Sequence, residues 1–479
     1  QRRWYWAKSP GEYVVADLNP AQQWAGFFFL HPMRKSTIVF LVCAVQAASA
    51  LGQVLSGQFA TGLGAPGQHL VLHRISGQER IPLDSIRISR KGQFRFKSTS
   101  YPLGYYRLGV GDDQIDIILN PAEPRVSLRF NERPLQSGIT VVESLENQRL
   151  WEYKRASRDA QDKIRIIAGQ RNAVDSRDIE SLLRLAREEE VVNSNLHATL
   201  HRLVAQDSAS YFAKVVDMDQ RLMEALDEGP QAIRDAMDWR DASLTRCTVY
   251  SKAIMAILQA ATPAAPYTLA AASDSILAWA ALDTACWSFA RWQLVDLFAT
   301  YGPEEVVQHM VDRYVSGPMT LAVPDARLLR LVAAQLKVAI GSTAPNVELP
   351  SPIHGHTDDL SALMQPYPCT ALFFYSSTCD HCHEQMPLLN ELFTRFNSKG
   401  LNIIGIAIDD DEAEFRANIA ERGLLFPCYS ELRGWGSPAA KAFAVRATPW
   451  FGGLNREGRI QAKPHDAREL QDLLPGLLP

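Results

Sequence analysis

The stretch TCDHCHEQMP, residues 378–387, decides how this chain is read. Cys379 and Cys382 have the C-x-x-C spacing of a redox dithiol, and with His383 they also spell C-x-x-C-H, the attachment signature of c-type haem. The flanks choose between the two. Upstream, CTALFFY (369–375) is an apolar run of strand length. Downstream, HEQMPLLNELFTRF places Met386, Leu389, Leu392, Phe393 and Phe396 on one side of a helix. Ser376–Thr378 is the turn between them, so Cys379 opens the helix. That position suits a nucleophilic thiolate, because unpaired N–H groups and the helix dipole favour negative charge there. Cys382, one turn further in, is placed to resolve a mixed disulfide. Pro387 lacks an N–H and is expected to kink the helix.

Working outward, residues 341–479 alternate strands and helices, which implies an α/β sheet with parallel crossovers. NIIGIAI (402–408) is a second buried strand, a helix follows from Asp410 to about Arg422, and DARELQDLL forms a closing helix. Residues 54–131 are short β-branched and aromatic runs separated by Gly and Pro, the pattern of a small β-sandwich. Between 144 and 340 helical periodicity takes over. Leu182, Leu183, Leu185 and Ala186 are expected to share a face, as are Val306, Val307, Met310, Val311 and Tyr314. The polar stretch 152–192 reads as solvated helix surface, and Trp279, Trp287 and Trp292 as core.

The fold class is therefore multidomain: an N-terminal all-β sandwich-like domain (53–135), a central α-helical domain (136–340) and a C-terminal α/β domain (341–479). From Met33 the chain reads MRKSTIVFLVCAVQAASALGQ, with Arg34 and Lys35, an apolar core and an Ala48-Ser49-Ala50 cleavage pattern. Residues 33–52 are thus expected to be a signal peptide, and 1–32 an upstream extension assigned in error. The expected location is the periplasm or cell envelope, where disulfide chemistry is possible. Net charge is −4 with no basic stripe, which argues against nucleic-acid binding.

At the C-terminus a resemblance becomes specific. Gly341 and Pro345, the strand–CxxC–helix unit, Pro387, Thr448-Pro449 and the Asn455-x-x-Gly458-x-Ile460 turn resemble the TlpA/ResA-like thiol-disulfide oxidoreductases of the thioredoxin fold. The order of β-domain, helices and thioredoxin-like domain is similar to multidomain envelope members. The resemblance implies that Cys379 and Cys382 are catalytic, and that Pro449 is cis and turns the backbone of Thr448 towards substrate. His381 is expected to favour the thiolate and Asp380 to oppose it. Many relatives carry Glu three residues past the second Cys. Here that position is Gln385, with Glu384 one step earlier as a further tuning candidate. The buried acid of thioredoxin proper is replaced by Phe373, and the residue before the first Cys, often Trp, is Thr378.

The implied partners are disulfide-containing envelope proteins and a membrane or soluble thiol reductase that supplies electrons. No metal or organic cofactor is called for, because the Cys379–Cys382 couple carries the electrons. Haem motifs sit in helical domains, unlike this strand-borne pair. Zinc lacks a second ligand pair. A peroxiredoxin-like peroxidase would want Pro where Leu372 stands. A binding protein with an accessory thioredoxin-like domain is the competing class. His354-Gly-His356 reads as loop and Asp409-Asp410-Asp411-Glu412 as a helix cap. Either Cys369 with Cys428 or Cys247 with Cys286 is open to bridging, with buried free thiols the expected state.

Overall fold

The computed structural model describes residues 53–63, 67–76, 79–97 and 101–478. The expected extension (1–32) and signal peptide (33–52) lie outside the described residues. Among the described residues no helix is long and apolar enough to cross a membrane.

The N-terminal strands are β1 (Val54–Phe59), β2 (His69–Ser76), β3 (Glu79–Arg87), β4 (Gln93–Lys97), β5 (Gly104–Val110), β6 (Asp113–Leu119), β7 (Arg125–Phe130) and β8 (Ile139–Glu143). They form two four-stranded sheets in the orders β4-β1-β7-β8 and β3-β2-β5-β6. Pro82 lies in β3, an edge strand, where its missing N–H costs no ladder bond inside the sheet, and the β2–β3 register slips beside it. The sheet reaches Glu143, beyond the expected boundary at 135. The signal is weak there because β8 is an edge strand in which Ile139 alone is fully buried.

The longer central helices are α1 (Leu145–Ala173), α2 (Ile179–Gln206), α3 (Tyr211–Ala225), α4 (Thr248–Ala260), α5 (Pro266–Ala280), α6 (Thr284–Tyr301) and α7 (Ala326–Lys337). Strands and helices share one hydrophobic core that runs from Leu55 to Val332, so no linker separates residues 135 and 136. Polar contacts seal the join. The Asn147 side chain of α1 accepts from Ile118 N and donates to Ile118 O at 2.8 and 2.7 Å. The buried Glu146 carboxylate accepts from Tyr211 N and Phe212 N, both at 2.8 Å, at the start of α3. Val306, Val307, Met310, Val311 and Tyr314 are buried together as expected. In α2, however, Leu185 is buried while Leu183 and Ala186 are exposed, because α1 covers a narrower seam than the periodicity suggests. Trp287 and Trp292 are core residues, and Trp279 packs against that core partly buried.

The C-terminal region contains β9 (Glu348–Ser351), β10 (His356–Asp359), β11 (Cys369–Tyr375), β12 (Leu401–Ala407), β13 (Cys428–Ser430), β14 (Trp450–Asn455) and β15 (Ile460–Ala462). Its helices include α8 (Asp380–Phe396), α9 (Glu412–Arg422) and α10 (Ala467–Leu477). The sheet order is β13-β12-β11-β14-β15, with β11, β12 and β13 parallel and β14 and β15 antiparallel. Every residue of β11 and β12 is buried, which explains their largely apolar composition. One face packs Cys382, Met386 and Leu389 of α8 with Leu470 and Leu474 of α10. Gly405 of β12 is required there, since a Cβ would stand 2.9 Å from Cys428 Sγ and 3.2 Å from Tyr375. The opening segment of this region returns to the last hairpin: Gly341 N donates to Ile460 O at 2.7 Å and Ala344 N to Gly458 O at 2.8 Å. The observed class is the expected one: a β-rich region, a helical region and a thioredoxin-like α/β region.

Candidate active site

Strand β11 ends at Tyr375 and α8 begins at Asp380, with Cys379 as N-cap. The Cys379 sulfur does the work that Ser or Asp does at other helix starts, accepting from Cys382 N at 3.3 Å. Its thiol also faces the carbonyl of Thr448 at 3.6 Å, and the Thr448–Pro449 peptide is cis. Cys379 is half-buried and Cys382 fully buried. Burial, reinforced by a hydrogen bond with Cys379, pushes the Cys382 thiol up to about 12. At neutral pH Cys382 is therefore a protonated thiol. It becomes a nucleophile only when a base removes that proton.

The turn between strand and helix is fixed by a residue that the sequence pattern assigns to capping. Asp409, buried just past β12, accepts from Ser377 N at 2.9 Å, Ser377 Oγ at 2.6 Å and Ser376 Oγ at 3.2 Å. It does not cap α9. That task belongs to Asp411, which accepts from Ala413 N and Glu414 N. Sequence reasoning misses Asp409 because its partners lie 32 and 33 positions away, beyond any local pattern.

His383 faces the same turn from the other side. Arg422 approaches its Nδ1 at 2.9 Å and Ser377 O lies 2.9 Å from its Nε2. A guanidinium only donates, so Nδ1 is the acceptor and Nε2 carries the proton that Ser377 O receives, with the Asn418 side-chain amide 3.1 Å from the same nitrogen. This engages both ring nitrogens in protein contacts. Among the described residues, no cluster of three or more His, Cys, Asp or Glu is arranged to hold a metal ion.

The tuning candidates lie further out. Asp380 is fully exposed at its side chain, and its carboxylate is 3.9 Å from His383 Nδ1. His381 and Glu384 are exposed and pair with each other at 3.6 Å. None of the three forms a hydrogen bond with either sulfur in the described structure. Phe373 is buried and stacks on Tyr375 and Phe451 at 5.2 and 5.0 Å. Cys247, Cys286, Cys369 and Cys428 are all free and buried.

Three comparisons bear on this geometry. The AhpC/TSA family model matches residues 340–458. Thiol-disulfide oxidoreductase ResA of Bacillus anthracis is 30% identical over 124 residues, which are 26% of this chain and 68% of that protein. The chain belongs to the ResA-type thiol-disulfide oxidoreductases. A ResA of Bacillus cereus is 25% identical over 127 residues, 26% of this chain and 70% of that protein. Among solved structures, a thiol-disulfide oxidoreductase from Bacteroides fragilis is 25% identical, with a TM-score of 0.27, covering 29% of this chain and 100% of that one. A thioredoxin-like protein from Bacteroides caccae is 14% identical, with a TM-score of 0.37, covering 52% of this chain and 93% of that one. Gln385, where the resemblance leads to an expectation of Glu, has a structural role of its own. Its Oε1 accepts from Ala467 N at 3.0 Å, so the side chain is committed to the start of α10 and not to Cys382.

Proposed function

We propose that this protein is exported to the periplasm or cell envelope, where its C-D-H-C dithiol reduces or exchanges disulfides in envelope proteins. Support comes from the half-buried N-cap sulfur of Cys379, aligned with the Thr448 carbonyl and backed by a buried partner thiol. In the proposed cycle the Cys379 thiolate attacks a substrate disulfide, forming a mixed disulfide and releasing one substrate thiolate, which takes up a proton. Cys382 then gives up its proton and attacks Cys379 Sγ, releasing the second substrate sulfur. The substrate gains two electrons and two protons, and the protein keeps a Cys379–Cys382 disulfide. A membrane or soluble dithiol reductase returns it to the reduced state. No metal or organic cofactor enters the cycle. Thr448 and Pro449 form the edge along which the substrate backbone lies, and apocytochrome c is one candidate substrate. Asp380, His381 and Glu384 act on the potential through their charge alone, across solvent.

The deciding experiment is trapping. A Cys382→Ser variant, expressed from residue 33 onward, should accumulate mixed disulfides with envelope proteins through Cys379. Absence of adducts, together with hydrogen peroxide turnover by the wild type, would replace this reading with a peroxidase.

A further inference from the structure

A cleft of about 690 Å³ opens where the helical region meets the thioredoxin-like region. Its walls include Met223, Leu226, Met255, Trp292 and Tyr301 from the helical side, and Arg446 from the other. Three of these are large apolar side chains left well exposed: Tyr301 at 61%, Met223 at 55% and Leu226 at 40%. Such a cluster, with a concave floor, marks an interaction site and not scattered surface apolarity.

The charges in the cleft are already matched. Arg446 pairs with Asp296 at 2.6 Å, both largely buried, and Lys252 pairs with Asp219 at 2.5 Å. The walls thus carry no surplus charge to recognise an ionic ligand. Arg446 stands two residues before Thr448, whose carbonyl faces the Cys379 sulfur. The chain between them bends, and two residues span at most about 7 Å. The cleft and the sulfur are consecutive stations along one stretch of backbone.

We infer that this cleft receives the apolar residues flanking a disulfide in an incompletely folded polypeptide while Cys379 attacks that disulfide. The inference rests on the reading of Cys379 as the attacking thiol. The occupant follows from chemistry. Cysteine is among the residue types most often fully buried, so the chain around it in an unfolded or misbridged protein carries core side chains. Met223 and Met255 suit varied occupants, because unbranched thioethers adapt their shape at little cost. The Arg446–Asp296 pair holds the Thr448 loop against α6, which keeps the two stations in line.

The test uses two disulfide-linked peptides of equal length, one flanked by Leu, Val and Phe and the other by Ser and Gly. Wild-type protein should favour the apolar peptide by about tenfold in kcat/KM, expressed in KM. In the double variant Met223→Glu, Leu226→Glu that preference should fall to near one. A dye-labelled, cysteine-free apolar peptide should bind the wild type by fluorescence anisotropy and not the variant. Equal rates for both peptides in the wild type, or an unchanged preference in the variant, would overturn the inference. So would a self-associated wild type that the variant makes monomeric, since a second copy would then fill the cleft. If neither peptide is reduced, the attacking-thiol reading fails, and the anisotropy result still judges the cleft.

Discussion

Among the described residues two cysteines open helices, and one has the setting of a reactive thiol. Cys379 caps α8 and Cys247 caps α4. At Cys379 the sulfur accepts from the helix through Cys382 N, is half-exposed, has a second thiol three residues on and faces the Thr448 carbonyl. At Cys247 the sulfur makes no cap bond, donating instead to Leu244 O at 3.2 Å, and Tyr250 stands where a second cysteine would be. Burial pushes the Cys247 thiol up to about 11. A helix start is therefore not sufficient for thiol chemistry. Access and a partner sulfur have to be added, and the thioredoxin-like region adds both.

The bluntest way to break this contrast is to remove each sulfur in turn. Cys379→Ser should lower insulin-disulfide reduction by about 1000-fold or more, since a hydroxyl cannot replace the thiolate. Cys247→Ser should leave the rate within about twofold of wild type. Equal losses at the two sites would show that the contrast is not one of chemistry.

A sharper probe separates attack from resolution. With Cys382 pushed up to about 12 and neither Gln385 nor Glu384 bonded to it, the resolving thiolate must be generated by solvent base. Single-turnover release of the second substrate sulfur should therefore rise close to tenfold per pH unit between about pH 6 and 9. A plateau in that range would expose an unrecognised internal base.

The turn before Cys379 is the next difference between the two helix starts. Asp409→Ala removes an acceptor from two hydroxyls and a backbone N–H of that turn. The expected cost is about 2–3 kcal/mol in urea unfolding, with about a tenfold drop in peptide reduction. Unchanged stability would mean that the turn is held without the carboxylate.

These cases also mark what the sequence discloses. The β11–Cys379–α8 junction is legible because its parts are contiguous: an apolar run, a turn and an amphipathic period. The opening segment at Gly341 and the Gly458 turn are recognisable as motifs, although their pairing across the sheet edge appears only in the fold. Asp409, Arg422 and Arg446 are not legible, because each acts on a group 32 to 150 positions away. His383 reads as a haem-ligand candidate because spacing shows which residues are near in the chain, and not what occupies their ring nitrogens. The β8 edge and the shared core of strands and helices are hidden for a related reason. A boundary drawn from changing periodicity does not register contacts such as Asn147 with Ile118.

The smallest expected effect concerns the buried sulfur itself. The folded-state value of Cys247 is raised from 9.0 to about 11, so the native protein holds this proton more tightly than the unfolded chain. Its contribution to stability is complete below about pH 9. It then falls as pH rises towards 11, because the unfolded thiol ionises first and draws the equilibrium its way. At about pH 10 the loss from this thiol is on the order of 1 kcal/mol relative to neutral pH. Cys247→Ala removes that titration, so the difference in stability between variant and wild type should shrink by about this amount from about pH 8 to pH 10. A pH-independent difference would mean that the Cys247 sulfur meets water in the native state. The distinction from Cys379 would then rest on the missing partner thiol alone.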